Sequence, residues 1–223
     1  MISIAIDGPS GAGKSTLSRR IAQELGYLYV DTGALYRVVG LAALRAGAEV
    51  TSAEKIEALL PNISVSLRYI QNEQHVFLGE EDVSTAIRDE AVSMAASHVS
   101  AHPATRAFLL ETQRRLAREN NVLMDGRDIG SVVLPNAAVK IYLTSTVQDR
   151  AKRRYDQLLE SGRQADYDTI LKDVEQRDYN DTHRDIAPLM QVPDAVLVDT
   201  TGLSYEEGYK KLLSAVKSRL GEL

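Results

Sequence analysis

Near the start of the chain, Gly8, Pro9, Ser10, Gly11, Ala12, Gly13, Lys14 and Ser15, with Thr16 next, follow the spacing G-x-x-x-x-G-K-S. Glycines at these positions free the backbone to turn successive N–H groups inward around phosphate oxygens. Lys14 adds a mobile positive charge for the β- and γ-phosphates, and the Ser15 hydroxyl is the kind of ligand Mg2+ takes at this position. A chance glycine-rich turn is the bland alternative, and context weighs against it. Apolar residues 2–6 read as a strand entering the loop. Residues 14–25 read as a helix leaving it, with its positive dipole end toward the same anion. The loop alone does not name a reaction, because GTP hydrolases, ATP-driven machines and small-molecule kinases share it. No N-K-x-D segment for reading guanine occurs in the chain.

Two further polar segments follow apolar runs. Asp31, Thr32, Gly33, Ala34, Leu35, Tyr36 and Arg37 close a strand at 27–31 and open a helix at about 34–46. Thr32 offers a hydroxyl near a helix N-terminus and Arg37 lies one turn in, a pair suited to a second phosphate. Capping of the helix by Asp31 and Thr32 explains the same residues equally well. Asp125, Gly126, Arg127, Asp128, Ile129 and Gly130 follow the run 121–125. Two acids flanking an arginine between glycines suit a polar ligand, and a structural Asp–Arg pair is the competing reading. Arg150, Arg153 and Arg154 fall at i, i+3 and i+4, on one helix face with few acidic residues expected beside them. By spacing alone that face is as well read as solvated.

The elements that must position these residues alternate. Strands are expected at 2–6, 27–31, 121–125, 139–143 and 195–199, with helices between them, a pattern that calls for a parallel sheet covered on both faces. A helix at 52–60 closes at Pro61, and Pro103 suits the first turn of a helix reaching about 119. Residues 63–70 and 75–78 read as a hairpin across Gln71, Asn72, Glu73 and Gln74, which breaks the alternation and reads as an insertion. The expected fold is α/β: a five-stranded parallel sheet flanked by helices, a small β-containing insert and a charged helical stretch from 150 to about 185.

The 223 residues carry 44% hydrophobic and 26% charged side chains, enough for a full core. A net charge of −5 argues against nucleic-acid binding. No apolar run suggests a membrane span, no signal peptide is read, and the absence of cysteine excludes disulfides and thiol metal sites. A cytoplasmic protein is expected. Basic residues favour arginine, 18 to 8 lysines, which fits phosphate recognition or simply genomic base composition.

Taken together, residues 8–16, 31–37, Ser97 with Arg106, 125–130, Arg150 with Arg153 and Arg154, and 177–184 give the chain a whole-length resemblance to the bacterial cytidylate kinases, which are similar to adenylate kinases. The resemblance implies transfer of the γ-phosphoryl group of MgATP to CMP or dCMP, giving CDP or dCDP and ADP in pyrimidine nucleotide metabolism. It implies one domain over 1–223, a monophosphate-binding insert at about 61–100 and a lid at about 150–185 that closes over ATP. Residues 8–16 would hold ATP, with Ser15 on Mg2+. Lys14, Arg150, Arg153 and Arg154 would offset charge on the transferring group. Ser97, Arg106 and Asp128 would read cytosine. Thr32, Arg37 and Arg127 would hold the acceptor phosphate, and Arg177, Asp181 and Arg184 would contact ribose and phosphate. From spacing alone, Ser97 is better read as a packing or capping residue. A monomer without nucleic-acid or membrane partners is expected. The alternatives are a kinase for AMP, UMP, shikimate or dephospho-coenzyme A, and a nucleotide-controlled switch.

Overall fold

The opening apolar run forms β1, Ser3–Asp7, in which Ile4, Ala5 and Ile6 are fully buried. In the computed structural model, which describes residues 1–71 and 73–221, the chain divides into two compact units. One is Met1–Tyr29 with Asn121–Leu223, and the other is Val30–Asn120.

The first unit continues through α1, Lys14–Leu25, which stops at Gly26 in the left-handed conformation. β2, Leu28–Asp31, carries the chain from the first unit into the second. After the second unit come β6, Val122–Gly126, β7, Val139–Thr144, α6, Val147–Glu160, α7, Tyr167–His183, β8, Val196–Asp199, and α8, Tyr205–Gly221. The five-stranded sheet has the order β2-β6-β1-β7-β8. β1 pairs in parallel with β6 (Asp7 opposite Gly126) and with β7 (Asp7 opposite Tyr142). All five strands stand within a residue or two of their expected places. β1 and β6 are buried almost throughout, as continuous apolar runs require, while β7 alternates and the edge strand β8 leaves Leu197 exposed. Ile4, Ile6, Ile21, Leu123, Ile141 and Leu143 make the centre of this core. The carboxyl ends of β1, β6 and β7 lie together, the place where open α/β sheets bind ligands.

The second unit holds α2, Thr32–Arg45, α3, Ala53–Leu59, β3, Val65–Ile70, β4, Glu73–Leu78, β5, Glu81–Asp82, α4, Glu90–Val99, and α5, Pro103–Glu119. α2 and α4 cross closely: a Cβ on Gly40 would come within 2.9 Å of the Ala96 amide nitrogen. β3, β4 and β5 form an antiparallel sheet with Val76 buried against Val38 and Leu41 of α2.

Three details differ from expectation. The hairpin turn is tighter than 71–74, since β4 begins at Glu73 and pairs back to Ile70. Gln71 adopts φ 52°, and Asn72 of that expected turn lies outside the described residues. The charged stretch is two helices, broken at Gly162 in the left-handed region. α6 and α7 pack through Ala151, Leu158 and Ile170. A π-helical turn at Ile129–Val133 was not expected at all. No helix among the described residues is long and apolar enough to cross a membrane.

Candidate active site

In the first unit the loop 8–13 passes against β7, where a Cβ on Gly8 would fall 1.9 Å from the Leu143 carbonyl oxygen. Only glycine lets the backbone come this close. Gly13, at φ 86°, precedes α1 with no side-chain cap on the helix, so the first-turn N–H groups face outward from the helix end. Lys14 is 6% exposed and donates to the carbonyl oxygens of Gly8 (2.7 Å) and Pro9 (2.8 Å). Burial, and after it the Arg127 guanidinium, push the ammonium well below the ordinary lysine range, against the pull of Asp125, Asp181 and Asp7. Ser15 Oγ donates to Asp125 Oδ2 at 2.7 Å, and Tyr29 donates its hydroxyl to Asp125 Oδ1 at 3.2 Å. A hydroxyl and a carboxylate set side by side beside a phosphate loop fit a hard, oxygen-seeking cation such as Mg2+. The sequence marked Ser15 for this and gave Asp125 no separate role. Its place at the end of a buried strand was the available signal.

Beyond Asp125, Arg127 donates through Nε to Asp181 Oδ2 at 2.7 Å. Burial alone would raise the Asp181 carboxyl. Arg127, with Arg177 and Arg184, outweighs it and holds the group below the ordinary carboxylate range. Asp128 is 5% exposed, and its Oδ1 lies 3.6 Å from Arg184 Nη2. Arg184 also donates to the Ala187 carbonyl through Nε at 2.8 Å, and Ala187 sits at φ 50°, a strained choice for a residue with a Cβ. Arg127, Asp128, Asp181 and Arg184 therefore form one largely buried cluster, although the resemblance assigns them to three parts of the substrate: acceptor phosphate, base, and ribose with phosphate.

The three arginines of α6 separate. Arg150 is 3% exposed and donates to Ser145 O (3.0 Å), to Ser10 O of the phosphate loop (3.0 Å), and to both oxygens of Asp178. Arg153 pairs with Asp149 at 2.6 Å and donates to Thr200 O at 2.9 Å. Its Nη1 would lie 3.9 Å from a Cβ on Gly13. Arg154 reaches Gln157, one turn further along its own helix. The expectation of few acidic neighbours fails here. Asp149 stands one turn before Arg153, and packing of α7 on α6 brings Asp178 to Arg150.

In the second unit Asp31 caps α2, accepting from the Ala34 amide at 3.0 Å, so that part of the capping reading holds. Thr32 is the buried first residue of the helix. Arg37 turns back toward that end, 3.7 Å from Asp31, and its buried Nη1 makes no hydrogen bond to the described residues. Gln74 of β4 holds the Asp31 backbone, accepting from its N–H at 2.8 Å and donating to its carbonyl at 3.3 Å. This support was illegible in sequence, because it joins residues 43 apart. Ser97 lies half-buried on α4. Arg106, on the first turns of α5, is 8% exposed, donates to Ser100 O at 3.2 Å and sits over the Tyr36 ring.

The parallel sheet and the glycine loop feeding α1 define a P-loop nucleotide-binding α/β protein. Its fold is similar to that of a gluconokinase from Sinorhizobium meliloti 1021 (TM-score 0.52, 16% identity, 99% of this chain and 94% of that one). The sequence profile of the cytidylate kinases matches residues 4–218, and the chain belongs to that family. It is 44% identical over 220 residues to a cytidylate kinase of Geobacillus kaustophilus, covering 99% of this chain and 98% of that protein. It is 41% identical over 218 residues to one of Bacillus subtilis, covering 98% and 97%.

Proposed function

We propose that the chain transfers the γ-phosphoryl group of ATP to CMP or dCMP, acting as a cytoplasmic monomer. Family membership over nearly the whole length supports the reaction class. The observation that carries the site is the buried cluster of Arg127, Asp128, Asp181 and Arg184 on the same unit as the phosphate loop. Two arginines and two acids kept from water suit a ligand with both phosphate and hydrogen-bonding polar groups.

The loop N–H groups and the end of α1 take the donor phosphates, and Lys14 exchanges the carbonyls of Gly8 and Pro9 for phosphate oxygens. Ser15 and Asp125 would hold Mg2+, which offsets charge on the β- and γ-phosphates when bound. Arg153, beside Gly13, adds a second cation to the transferring group. Arg154 joins it through a movement of the α6–α7 lid, which also excludes water. Arg150 holds the loop backbone in place. Thr32, Arg37 and Arg127 take the acceptor phosphate, the buried Nη1 of Arg37 being a donor suited to it, while Arg177, Asp181 and Arg184 take ribose and phosphate. The attacking oxygen belongs to a phosphate whose second pKa is about 6, so no catalytic base is needed.

Asp128, Ser97 and Arg106 read the base. A carboxylate accepts from the cytosine N4 amino group, and a guanidinium donates to N3 or O2. Uracil presents an acceptor and a donor at the first two positions, leaving Asp128 and Arg106 mispaired. The test is ADP release in a coupled assay with CMP, dCMP, UMP and AMP side by side. CMP and dCMP should turn over fastest. Faster phosphorylation of UMP or AMP, or nucleotide binding without multiple turnover, would overturn the reading.

A further inference from the structure

The mechanism above gives Asp7, the last residue of β1, no work, yet its placement is demanding. Its carboxylate is buried, accepting the Ile129 N–H on Oδ1 at 2.8 Å and the Gly130 N–H on Oδ2 at 2.7 Å. Burial pushes its carboxyl up to about 6; the two amides pull it down, Asp128 adds to the rise, and Lys14 offsets a little. A buried acid that does no catalytic step and still resists ionisation is an expensive choice for a purely structural bond.

The two amides it holds are the ones that directly follow Asp128. Asp128 itself has φ −142° and ψ 27°, outside the helix and strand regions. Its carbonyl accepts from Val132 (2.9 Å) and Val133 (3.1 Å), closing the π-helical turn. One side of the residue is thus tied forward into the turn, and the next two peptide units are tied back to β1. The register that sets Asp7 opposite Gly126 lets a side chain only as long as aspartate reach past Arg127 and Asp128. Gly130 keeps the approach open, since a Cβ there would come within 3.3 Å of Asp7 Oδ2 and 3.2 Å of Lys140 Cδ.

We infer that Asp7 is a positioning residue for base selection: by clamping the amides of Ile129 and Gly130 it fixes the pose of the Asp128 carboxylate, and so the discrimination between an amino and a carbonyl group on the substrate base. The inference rests on the reading of Asp128 as the base-reading acid. Asp7→Asn tests it, because the amide keeps the size but sets an NH2 donor against one of two N–H donors.

The measurement is kcat/KM for CMP and UMP, with KM for ATP and the thermal midpoint, on wild type, Asp7→Asn and Asp128→Asn. Asp7→Asn should narrow the CMP/UMP ratio roughly tenfold with KM for ATP little changed, since a small misplacement of a contacting group is enough for such a loss. If Asp128→Asn narrows the ratio and Asp7→Asn lowers both substrates by one factor, Asp7 merely supports the fold and the inference fails alone. If Asp128→Asn leaves the ratio unchanged, the base-reading assignment fails and takes this inference with it. Should Asp7→Asn not fold, Gly130→Ala presses on the same carboxylate. A narrowed ratio then supports the clamp, and an equal fall for both substrates overturns it.

Discussion

The phosphate loop and the 126–130 turn follow adjacent strands, β1 and β6, and handle charge in opposite ways. The loop is built from backbone: glycine angles and helix-end amides shape the proposed anion site, and Lys14, bonded to the Gly8 and Pro9 carbonyls, is the main side chain within it. The turn is built from side chains: Arg127 is held by Asp181, Asp128 lies against Arg184, and Asp7 grips the amides that follow. A backbone site is written in a few consecutive residues. A side-chain site depends on partners as distant as Asp7 and Ile129, 122 positions apart. The first should tolerate most changes outside the glycines, Lys14 and Ser15, and the second should lose selectivity whenever any member shifts.

The largest expected effect tests the loop. Lys14→Met should lower kcat by about 10²–10³, the usual cost of removing one preorganised charge-stabilising group. The thermal midpoint should hold, because burial already disfavours the ammonium. A variant with near-normal turnover breaks the comparison at its firmest point.

Next comes the cost of the turn. The Asp7 carboxyl sits at about 6 in the fold against 3.8 ordinarily. The acid therefore contributes its full stability when protonated, below its ordinary range, and loses it as pH rises toward and through about 6. The loss is about 3 kcal/mol in all, from 1.36 kcal/mol per pKa unit. Urea-unfolding free energies of wild type and Asp7→Asn, followed from pH 4.5 to 7, should diverge in favour of the variant as pH rises. A constant difference contradicts the buried-acid account.

The smallest effect concerns the proposed lid, α6 and α7. Arg153→Ala should lower kcat about tenfold while moving stability by less than about 1 kcal/mol, because the Asp149 pair is partly exposed. Arg154→Ala should cost less than Arg153→Ala, given its place away from the loop. Unfolding of Arg153→Ala with normal residual kcat would make the arginine structural.

The same contrast explains what was legible in the sequence. Residues 8–15 declared the loop, and apolar runs declared all five core strands, because these features are local. The π-helical turn at Ile129–Val133 was hidden, since the first amides of the turn, Ile129 and Gly130, are held by Asp7 on the neighbouring strand, 122 and 123 positions away. The break at Gly162 was hidden in a run that stays polar and helical on both sides. Asp178 and Gln74 could not be named, because only packing brings the first to Arg150 and the second to Asp31.

The central claim is that Asp128 reads the base. Asp128→Asn presents either a weaker neutral acceptor to the cytosine amino group or an NH2 that can serve uracil O4. A bidentate base contact is worth about 1–3 kcal/mol, so the CMP/UMP ratio of kcat/KM should shrink by roughly ten- to a hundredfold, without reversing while Arg106 still opposes the uracil N3–H. If CMP and UMP both fall by the same factor, Asp128 supports the turn or the phosphates and does not read the base.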